Sequence, residues 1–590
     1  MRIVVKEEIQ EDADLRRSWN QLALRMERPE VFYTYEWAVA VQRAYGSSLK
    51  PLVFLAYEDE LLVGLVALAW DKAGSREVTF LTGKTADYCD FLSEPCRRQE
   101  FVEAVFSELI SRKVGKIVLA NLPADSSSVA AVSAAASSRQ YHLHSREGYL
   151  CARVVLGSAE ERAQLKQATG GKKKLRRYLR DLDKKGKVCV RHDTQWDQIE
   201  PILLSFSRSH VARFLITGRI SNLTRPERRS FLYELAQELC RAGWLSVSRL
   251  LVDETPAAWN YGFQFAGSWF WYQPTVNSSF EDLSPGYCLL AKIVESACDR
   301  TNIDVVDLGL GAEDYKYRFA TVDRQTLYLV LNTSLFDYLR AVVRDRAAAI
   351  VKTSPDIERL IRSIISYIAK LRVRLRETGF AGLFTGFSRR IWNSICSLEE
   401  VLFFDWPASG VNPKEPSDMT LRPFDSDFLG AAAIHYADDP ATLEYLLRSA
   451  QRLRSEGDRG FVLLNDEGVP VHFCWVKVFE GFRMAELERT LPAPGADAVM
   501  IFDCFTPTAV RGRGFFARAI AALADQLKSE GKAPWIFGAA SNQASLRAIE
   551  KSGFAHKFTL GRKRILFVSK SKDSIPSQNP AKIASSAPAP

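Results

Sequence analysis

The stretch FTPTAVRGRGFFARAI, Phe505 to Ile520, joins a strand-like apolar run to a helical pattern through two glycines that alternate with arginines. Glycine lets backbone N–H groups approach an anion without interference from a Cβ atom, and the N-terminus of the following helix carries positive partial charge. Arginine side chains there add charge-assisted hydrogen bonds. The stretch therefore predicts a cradle for a pyrophosphate group. The alternative is an ordinary tight turn whose charges are solvated.

The flanking sequence places this turn inside an α/β unit of residues 419–568. FVLLNDEGVPVHFCWVKVFEGFRMAELERTLP alternates strand patterns with a turn at Asn465–Gly468, and MIFDCFTPTAV is the strand before the glycines. After the helix FARAIAALADQLKSEG come the strand PWIFGAA and the helix SNQASLRAIEKSGF. Helical and strand periodicities thus alternate through the unit, as expected of a mixed sheet covered by helices.

These residues resemble the GNAT acyltransferase superfamily. Its signature, Arg/Gln-x-x-Gly-x-Gly/Ala after the fourth strand, matches residues 511–516 except at Phe516, where a small residue is usual. SNQASLRAIEKSGF is similar to the family's helix after the fifth strand. The resemblance implies that acetyl-CoA or another acyl-CoA is bound, with no metal, by one set of residues: Phe505, Arg511, Gly512, Arg513, Gly514, Phe515, Phe516, Asn542 and Ser545.

The sequence identifies the catalytic acid and base less clearly than the cofactor-binding residues. The tyrosine that often serves as general acid in the family would fall at Ile549, where it is absent. Candidate bases are Glu486, Glu488 and Asp503, in or near central strands, and Glu488 and Asp503 are the two that we predict. For each of them the alternative is a carboxylate on the solvent face of a strand.

Two further α/β units are predicted at residues 1–155 and 156–332, because both repeat one order of strand and helix signals. LKPLVFLAYEDELLVGLVALAW predicts a hairpin, and GWLSVSRLLVDETPAAWNYGFQFAGSWFWYQP predicts three strands. The segments TYEW, DYCDFL, GKKKLRRYLRDLDKKGKV, SPGYCLLAKIVESA and DLGLGAEDYKYRF resemble, in this order, the CelD-like (BioF-type) acetyltransferases of bacterial polysaccharide gene sets. That family is related to the FemABX peptidyltransferases, which pair two GNAT-like units. The fold class predicted is therefore α/β (α+β), with three GNAT-like units of which two form a FemABX-like tandem.

Within the pair, two features are candidates for function. The resemblance implies that the segment containing Tyr315 and Lys316 lies near the acceptor or its phosphate, with Lys316 neutralising an anion and Tyr315 orienting a group or donating a proton. The alternative is a surface salt-bridge cluster. The basic run from Lys172 to Arg180 forms either a solvated helix face or a phosphate contact. We expect His210 to be structural.

Residues 333–405 carry helical periodicity with many arginines, and no strand is expected there. We predict a helical bridge; the alternative is that residues 335–400 lie peripherally on an anionic membrane surface. Residues 406–418 are a Pro/Gly/Ser-rich linker, and residues 569–590 are too poor in apolar residues to form a core, so a disordered tail is expected.

Composition narrows the class of protein. The 590 residues are 47% hydrophobic and 25% charged, with a formal net charge of +9, and they exceed the size of a single domain. The ten cysteines include no CxxC pair and no Cys/His cluster with zinc spacing, so we expect reduced cysteines, no metal and a cytoplasmic location. The sequence has no signal-peptide pattern and no apolar stretch long enough to cross a bilayer.

Three functional hypotheses follow. In the first, the chain transfers an acyl group from CoA directly to an amine or hydroxyl of a small-molecule or sugar acceptor, such as a precursor of a cell-surface polysaccharide. In the second, the N-terminal pair is a FemABX-like aminoacyltransferase that uses charged tRNA. In the third, that pair is a binding module and only the C-terminal unit is active. A nucleic-acid-binding surface is not favoured, because the basic run is short and no aromatic stripe continues it. The oligomeric state has no signal in the sequence.

Overall fold

The computed structural model describes residues 1–72, 77–139, 141–352, 396–407, 419–484, 487–565 and 568–574. The chain forms two compact units, one of Met1–Phe214 with Ile220–Pro355 and the other of Leu215–Arg219 with Asp356–Pro590.

The first unit is built on one 13-stranded mixed sheet. Its strands are β1 (Arg2–Lys6), β2 (Leu49–Glu58), β3 (Leu61–Asp71), β4 (Glu77–Phe80), β5 (Leu92–Ser93), β6 (Lys116–Pro123), β7 (His142–Val155), β8 (Val188–Asp193), β9 (Leu245–Val252), β10 (Thr255–Phe265), β11 (Ser268–Val276), β12 (Val305–Leu310) and β13 (Val322–Asn332). Its helices are α1 (Ala13–Leu24), α2 (Tyr35–Tyr45), α3 (Pro95–Ser111), α4 (Ser128–Ser138), α5 (Ala159–Gly171), α6 (Lys173–Asp183), α7 (Trp196–Ile216), α8 (Pro226–Arg241), α9 (Pro285–Cys298) and α10 (Leu335–Lys352).

This sheet contains the same strand pattern twice, as the sequence predicts. In the first half β1, β2, β3 and β4 are antiparallel neighbours, and β4 then pairs in parallel with β6. In the second half β8, β9, β10 and β11 are antiparallel neighbours, and β11 pairs in parallel with β12. The predicted hairpin and the three predicted strands are β2–β3 and β9–β11.

The two halves exchange strands at the centre of the sheet, where the order is β6-β13-β7-β12. The last strand of the second half, β13, lies between β6 and β7, and the last strand of the first half, β7, lies between β13 and β12. Each half therefore contributes one strand to the sheet of the other half, and neither half has an unpaired edge strand at the junction.

The second unit repeats the pattern once more in an eight-stranded sheet of order β15-β16-β17-β20-β21-β14-β22-β23. The strands of the unit are β14 (Cys396–Asp405), β15 (Thr420–Pro423), β16 (Arg459–Leu464), β17 (Pro470–Val478), β18 (Phe482–Met484), β19 (Arg489–Leu491), β20 (Ala498–Phe505), β21 (Ala533–Ala539), β22 (Ala555–Ile565) and β23 (Val568–Ser574). Of these, β18 and β19 form a separate two-stranded sheet. The helices of the unit are α11 (Ser426–His435), α12 (Pro440–Arg452), α13 (Phe515–Ser529) and α14 (Gln543–Lys551). The position that exchanged strands fill in the first unit is taken here by β14, which precedes the rest of the unit in sequence.

The expectation that residues 333–405 contain no strand is wrong at their C-terminal end, because Cys396–Asp405 forms β14. Its pairing with β21 and β22 supplies a ladder partner on each side, which overrides any local helical tendency. The predicted helical structure is confirmed at the start of this segment, where Leu335–Lys352 forms α10, and residues 353–395 lie outside the described part. The expected disorder of residues 569–590 is also wrong at its start, because Val568–Ser574 pairs with β22 as β23; residues 575–590 lie outside the described part. The exact domain boundaries stay predictions.

Candidate functional site: a cleft behind the glycine turn

All nine predicted cofactor residues line one cavity of about 1210 Å³ in the second unit. They come from three separate places in the sequence: the end of β20, the glycine turn with the start of α13, and the start of α14. The cavity wall also contains Trp406, His472 and Cys504, which the sequence did not mark as candidates. The structure therefore brings the predicted set together around a single space.

The sheet itself opens the cavity. The parallel ladder between β20 and β21 runs from Ala498–Ala533 to Ile501–Ile536 and goes no further. At Asp503, whose φ is 46°, β20 also shifts register against β17, which is a β-bulge. The ends of β20 and β21 consequently diverge, and backbone groups of β20 beyond Ile501 have no ladder partner in β21.

The glycine turn has the conformation that its sequence predicts. Gly512 and Gly514 both have φ of 78°, a left-handed conformation that other residues adopt only with strain. A Cβ atom at either position would meet nothing within 4 Å, so the space beside the backbone is open. Gly514 is followed directly by α13, whose first residues line the cavity. The positive end of this helix therefore faces the cavity.

Side chains around the turn fix its position. Asp439, the N-cap of α12, accepts a hydrogen bond from the backbone N–H of Thr508 at 3.1 Å and another from the Thr508 hydroxyl. Burial raises the pKa of Asp439, but hydrogen bonds from Thr508 and Thr442 outweigh this effect and hold the pKa below its usual value. Arg511 donates from Nε to the carbonyl of Thr506 at 3.0 Å. The turn is thus held from both sides before any ligand arrives.

The second helix at the cavity starts with a side-chain cap. The Asn542 side chain accepts a hydrogen bond from the backbone N–H of Ser545 at 3.1 Å and so begins α14. Ile549, at the position of the family's frequent tyrosine, is 1% exposed within the apolar core. Ile549 therefore cannot serve as the general acid.

The predicted bases of this unit lie elsewhere than the cavity wall. The Asp503 carboxylate is 2.5 Å from Nη1 of Arg452, and that guanidinium is stacked over the Trp475 ring at 4.9 Å. Glu488 is 62% exposed at its side chain and is ion-paired with Arg562 at 2.6 Å. Glu486 lies outside the described residues. The catalytic roles of Asp503 and Glu488 stay predictions.

His472 and Cys504 are cavity residues that sequence reasoning missed. His472 is 1% exposed, and its Nδ1 is 2.7 Å from the hydroxyl oxygen of Thr506. Burial lowers the pKa of His472 to about 3, so the imidazole is neutral at physiological pH. The available signal was the alternation of His472 and Cys474 on one face of a strand beside the glycine turn.

In the first unit, Tyr315 and Lys316 belong to a packed loop rather than to an exposed cluster. Lys316 Nζ donates to the carbonyls of Leu310 at 2.7 Å and Gly311 at 3.3 Å, and it pairs with Glu313 at 2.8 Å. The hydroxyl of Tyr315 accepts a hydrogen bond from the Trp271 indole at 3.2 Å, and burial raises its pKa. The predicted surface alternative is therefore wrong for Lys316, which is 4% exposed; the predicted catalytic roles remain untested.

A buried polar cluster joins the two halves of this unit. Tyr88 donates a hydrogen bond to Asp307 at 3.0 Å, and Arg153 lies 3.1 Å from the same carboxylate. Burial raises the pKa of the neighbouring Asp87 to about 7, and the charge of Asp307 adds to the effect. A Cβ atom on Gly309, whose φ is 69°, would lie 2.7 Å from Oδ2 of Asp87, so only glycine fits there. The segments DYCDFL and DLGLGAEDYKYRF therefore meet.

Arg228 extends this cluster. It donates to the Tyr272 hydroxyl at 2.9 Å and to Gln273 Oε1 at 3.0 Å, while its buried Nε and Nη1 have no hydrogen-bond partner. His210 lies 2.9 Å from Ser221 Oγ through Nδ1, and burial lowers its pKa to about 3, in agreement with a structural role. Both nitrogens are buried, and the guanidinium also interacts with the Tyr45 hydroxyl; of the groups in this cluster, they are the ones that could bind an anionic or carbonyl group.

The basic run begins at the N-terminus of α6, which packs against α9 and the turn Ser278–Leu283. Within α6 and its C-terminal cap, Lys184 donates a hydrogen bond to the Asp181 carboxylate at 2.7 Å. The polar face of α6 is mostly exposed, so the solvated and the phosphate-binding interpretations of the basic run both remain open.

Among the described helices, none combines the length and the apolar character that crossing a bilayer requires.

Comparison with known proteins gives a family match in the second half of the first unit. Residues 170–317 match the family model of the acetyltransferase (GNAT) domain. No curated protein matches the chain.

Solved structures with a similar fold include FemX, with 8% identity over 56% of this chain and 97% of that one and a TM-score of 0.40. A tandem GNAT protein from the clavulanic acid biosynthesis pathway has 13% identity over 56% and 98% of the two chains, with a TM-score of 0.33. L-PGS from Bacillus licheniformis has 10% identity over 52% and 95%, with a TM-score of 0.32. These TM-scores are low, so the assignment rests on the family match.

The match confirms the predicted superfamily for residues 170–317 and the prediction of an acyltransferase enzyme, and the repeated mixed sheet confirms the predicted fold class. The chain contains a GNAT acetyltransferase domain at residues 170–317.

Proposed function

We propose that the chain is an acyl-CoA-dependent N- or O-acyltransferase whose C-terminal cavity binds acetyl-CoA or another acyl-CoA. The observation that carries this proposal is the convergence of nine residues, chosen by sequence, on one cavity of about 1210 Å³. The diphosphate of the cofactor would be bound by the backbone N–H groups of Gly512–Phe516 and the positive end of α13. Arg511 and Arg513 would add charge-assisted hydrogen bonds.

The pantetheine arm would then lie where β20 and β21 diverge. Because β20 lacks ladder partners in β21 beyond Ile501, its backbone N–H groups are available to polarise the thioester carbonyl. The acceptor amine or hydroxyl attacks this carbonyl, the C–S bond breaks, and the acceptor's proton passes to a base or to water. Direct transfer of this kind requires no covalent enzyme intermediate.

The acceptor we propose is a sugar or another precursor of a cell-surface polysaccharide, from the CelD-like pattern of residues 1–330. Acyl-CoA use and reduced cysteines both favour the cytoplasm as its location; the nine cysteines with described side chains are free.

Calorimetric titration of the full chain with acetyl-CoA tests the proposal. We expect Gly514→Glu to abolish binding, because it places bulk and negative charge in the cradle. Gly468→Glu is the matched control: Gly468 also has a left-handed φ, 73°, and open space around it, but it does not line the cavity. Equal affinity of the two folded variants would contradict the proposed site.

A second candidate function places acyl transfer in the N-terminal pair, and the family match at residues 170–317 favours it. Arg228, with two unpartnered nitrogens near Asp87, would hold the acceptor or the acyl donor. Under this proposal the Gly514→Glu variant retains transferase activity, whereas Arg228→Gln loses it. Saturable binding of charged tRNA that Arg228→Gln removes would instead support the FemABX-like alternative.

A further inference from the structure

Three potential metal ligands meet at the wall of the C-terminal cavity: His472, Cys474 and Cys504. One ligand atom from each, an imidazole nitrogen or a sulfur, lies within 4.8 Å of the other two. His472 and Cys474 are two residues apart on β17 and so share a face of the sheet. Cys504 follows the bulge on the neighbouring strand β20. The bulge therefore brings the second sulfur beside the first pair.

The hydrogen bonding of His472 leaves one of its ring nitrogens unused. Nδ1 is 2.7 Å from the Thr506 hydroxyl, whereas Nε2 is buried and has no hydrogen-bond partner. A buried polar atom without a partner costs free energy, so its retention calls for an explanation. Metal-binding histidines are commonly oriented in this way, with one nitrogen fixed by a protein group and the other free for the ion.

The two thiols complete a soft ligand set. Cys474 is 1% exposed, and Cys504 is partly exposed and lines the cavity. Thiolate and imidazole ligands select zinc or monovalent copper rather than magnesium or calcium. With zinc, two thiolates cancel the charge of the ion, so the complex leaves no net charge in the surrounding core.

We propose that His472, Cys474 and Cys504 bind one Zn²⁺ ion, with a fourth coordination position that opens into the cavity. On binding, Zn²⁺ displaces the protons of the two S–H groups and coordinates the two thiolates and one neutral imidazole, so two protons are released to solvent. The open position follows from the placement of the ligands, since His472 and Cys504 line the cavity and Cys474 lies behind them. Three protein ligands with a free position are typical of zinc sites that accept water or a small ligand.

The test is a metal titration of the full chain in the presence of a phosphine reductant, with Co²⁺ as the spectroscopic probe and Zn²⁺ as the competitor. We expect one equivalent of Co²⁺ to produce thiolate-to-cobalt charge-transfer bands and tetrahedral d–d bands, both removed by one equivalent of Zn²⁺. Two protons should be released for each Zn²⁺ bound in weakly buffered solution. The bands should be lost, or the affinity should fall at least about tenfold, in Cys504→Ser and in His472→Gln.

Cys288→Ser is the matched control, because Cys288 is a free, fully buried cysteine in the first unit. Cys504→Ser is the decisive variant, since its side chain is only partly buried and the protein should fold without it; circular dichroism checks this. Absence of saturable Co²⁺ uptake, or equal uptake by Cys504→Ser and Cys288→Ser, would overturn the proposal. Because neither readout involves acyl-CoA, the outcome is independent of the function proposed above.

Discussion

The hydroxyl of Tyr88 lies 3.0 Å from the carboxylate of Asp307, although 219 positions separate the two residues in sequence. Tyr88 follows the fourth strand of the first half, and Asp307 lies within β12 of the second half. The bond is buried, and Arg153 from the exchanged strand β7 lies beside the same carboxylate at 3.1 Å. The two GNAT-like halves are therefore joined by polar contacts as well as by the exchange of strands.

Removing this hydroxyl should destabilise the first unit. Tyr88→Phe leaves the Asp307 carboxylate buried with one hydrogen bond fewer, so we expect a loss of about 1.5–3 kcal/mol in the free energy of unfolding. Urea denaturation followed by tryptophan fluorescence measures it. Tyr149→Phe, on a half-exposed tyrosine of β7, is the control and should change stability by less than about 0.5 kcal/mol. Equal effects of the two substitutions would contradict the role of the bond.

Asp87 should make the first unit less stable as the pH rises. Burial raises its folded-state pKa from 3.8 to about 7, so the native state binds a proton that the unfolded state releases. The stabilisation is complete below pH 4 and is lost as the pH rises through about 7. Asp87→Asn, which imitates the protonated carboxyl, should remove this loss and leave the variant more stable than the parent at pH 8.

Unfolding midpoints recorded between pH 5 and pH 8 give the comparison. The exposed Asp282 provides the control substitution Asp282→Asn, which should keep the slope of the parent protein. A slope that is the same in all three proteins would rule out Asp87 as its source.

Lys316 should act mainly by holding its loop. Lys316→Met removes the hydrogen bonds to the carbonyls of Leu310 and Gly311 and the ion pair with the exposed Glu313. Because the two carbonyls lose their donor, we expect a loss of about 1–3 kcal/mol in stability. Thermal unfolding measures the loss of stability, and Lys184→Met, at an exposed lysine, is the control. If instead the melting temperature is unchanged and transferase activity is lost, Lys316 contacts substrate as the family resemblance implies.

Asp503→Asn separates two roles for this carboxylate. Because Arg452 holds it at 2.5 Å and it does not line the cavity, we expect weaker stability, by about 1 kcal/mol, with kcat largely retained. Arg452→Gln should reproduce the loss of stability, since it removes the other partner of the same ion pair. A fall in kcat of a hundredfold or more without loss of stability would identify Asp503 as the general base.

The glycine turn illustrates what local sequence can determine. Alternating glycines and arginines before a helix specify left-handed backbone and a helix start, and Gly512 and Gly514 adopt that conformation. Asn542 and Ser545 could be predicted to lie beside the turn because the family's segments have a fixed order along the chain, and both line the same cavity as the turn. The hairpin of β2 and β3 also follows from the periodicity of its sequence and from the turn signal between the strands.

Other features depended on which strand pairs with which. Periodicity can indicate that a strand forms but not its neighbours, so the exchange of β7 and β13 and the insertion of β14 could not be predicted. The same pairings bring Asp87 and Tyr88 against Gly309 and Asp307, and a bulge in β20 brings Cys504 beside His472 and Cys474.

The sequence by itself determined the superfamily of residues 170–317, the repeated α/β units and the set of residues that line the C-terminal cavity, because those properties are encoded in contiguous segments. Only the tertiary structure decided that Lys316 is buried, that Asp503 is paired with Arg452, and that two thiols and an imidazole meet beside the cleft. These relationships join residues on different strands, and their proximity follows from sheet register, which a linear pattern does not contain.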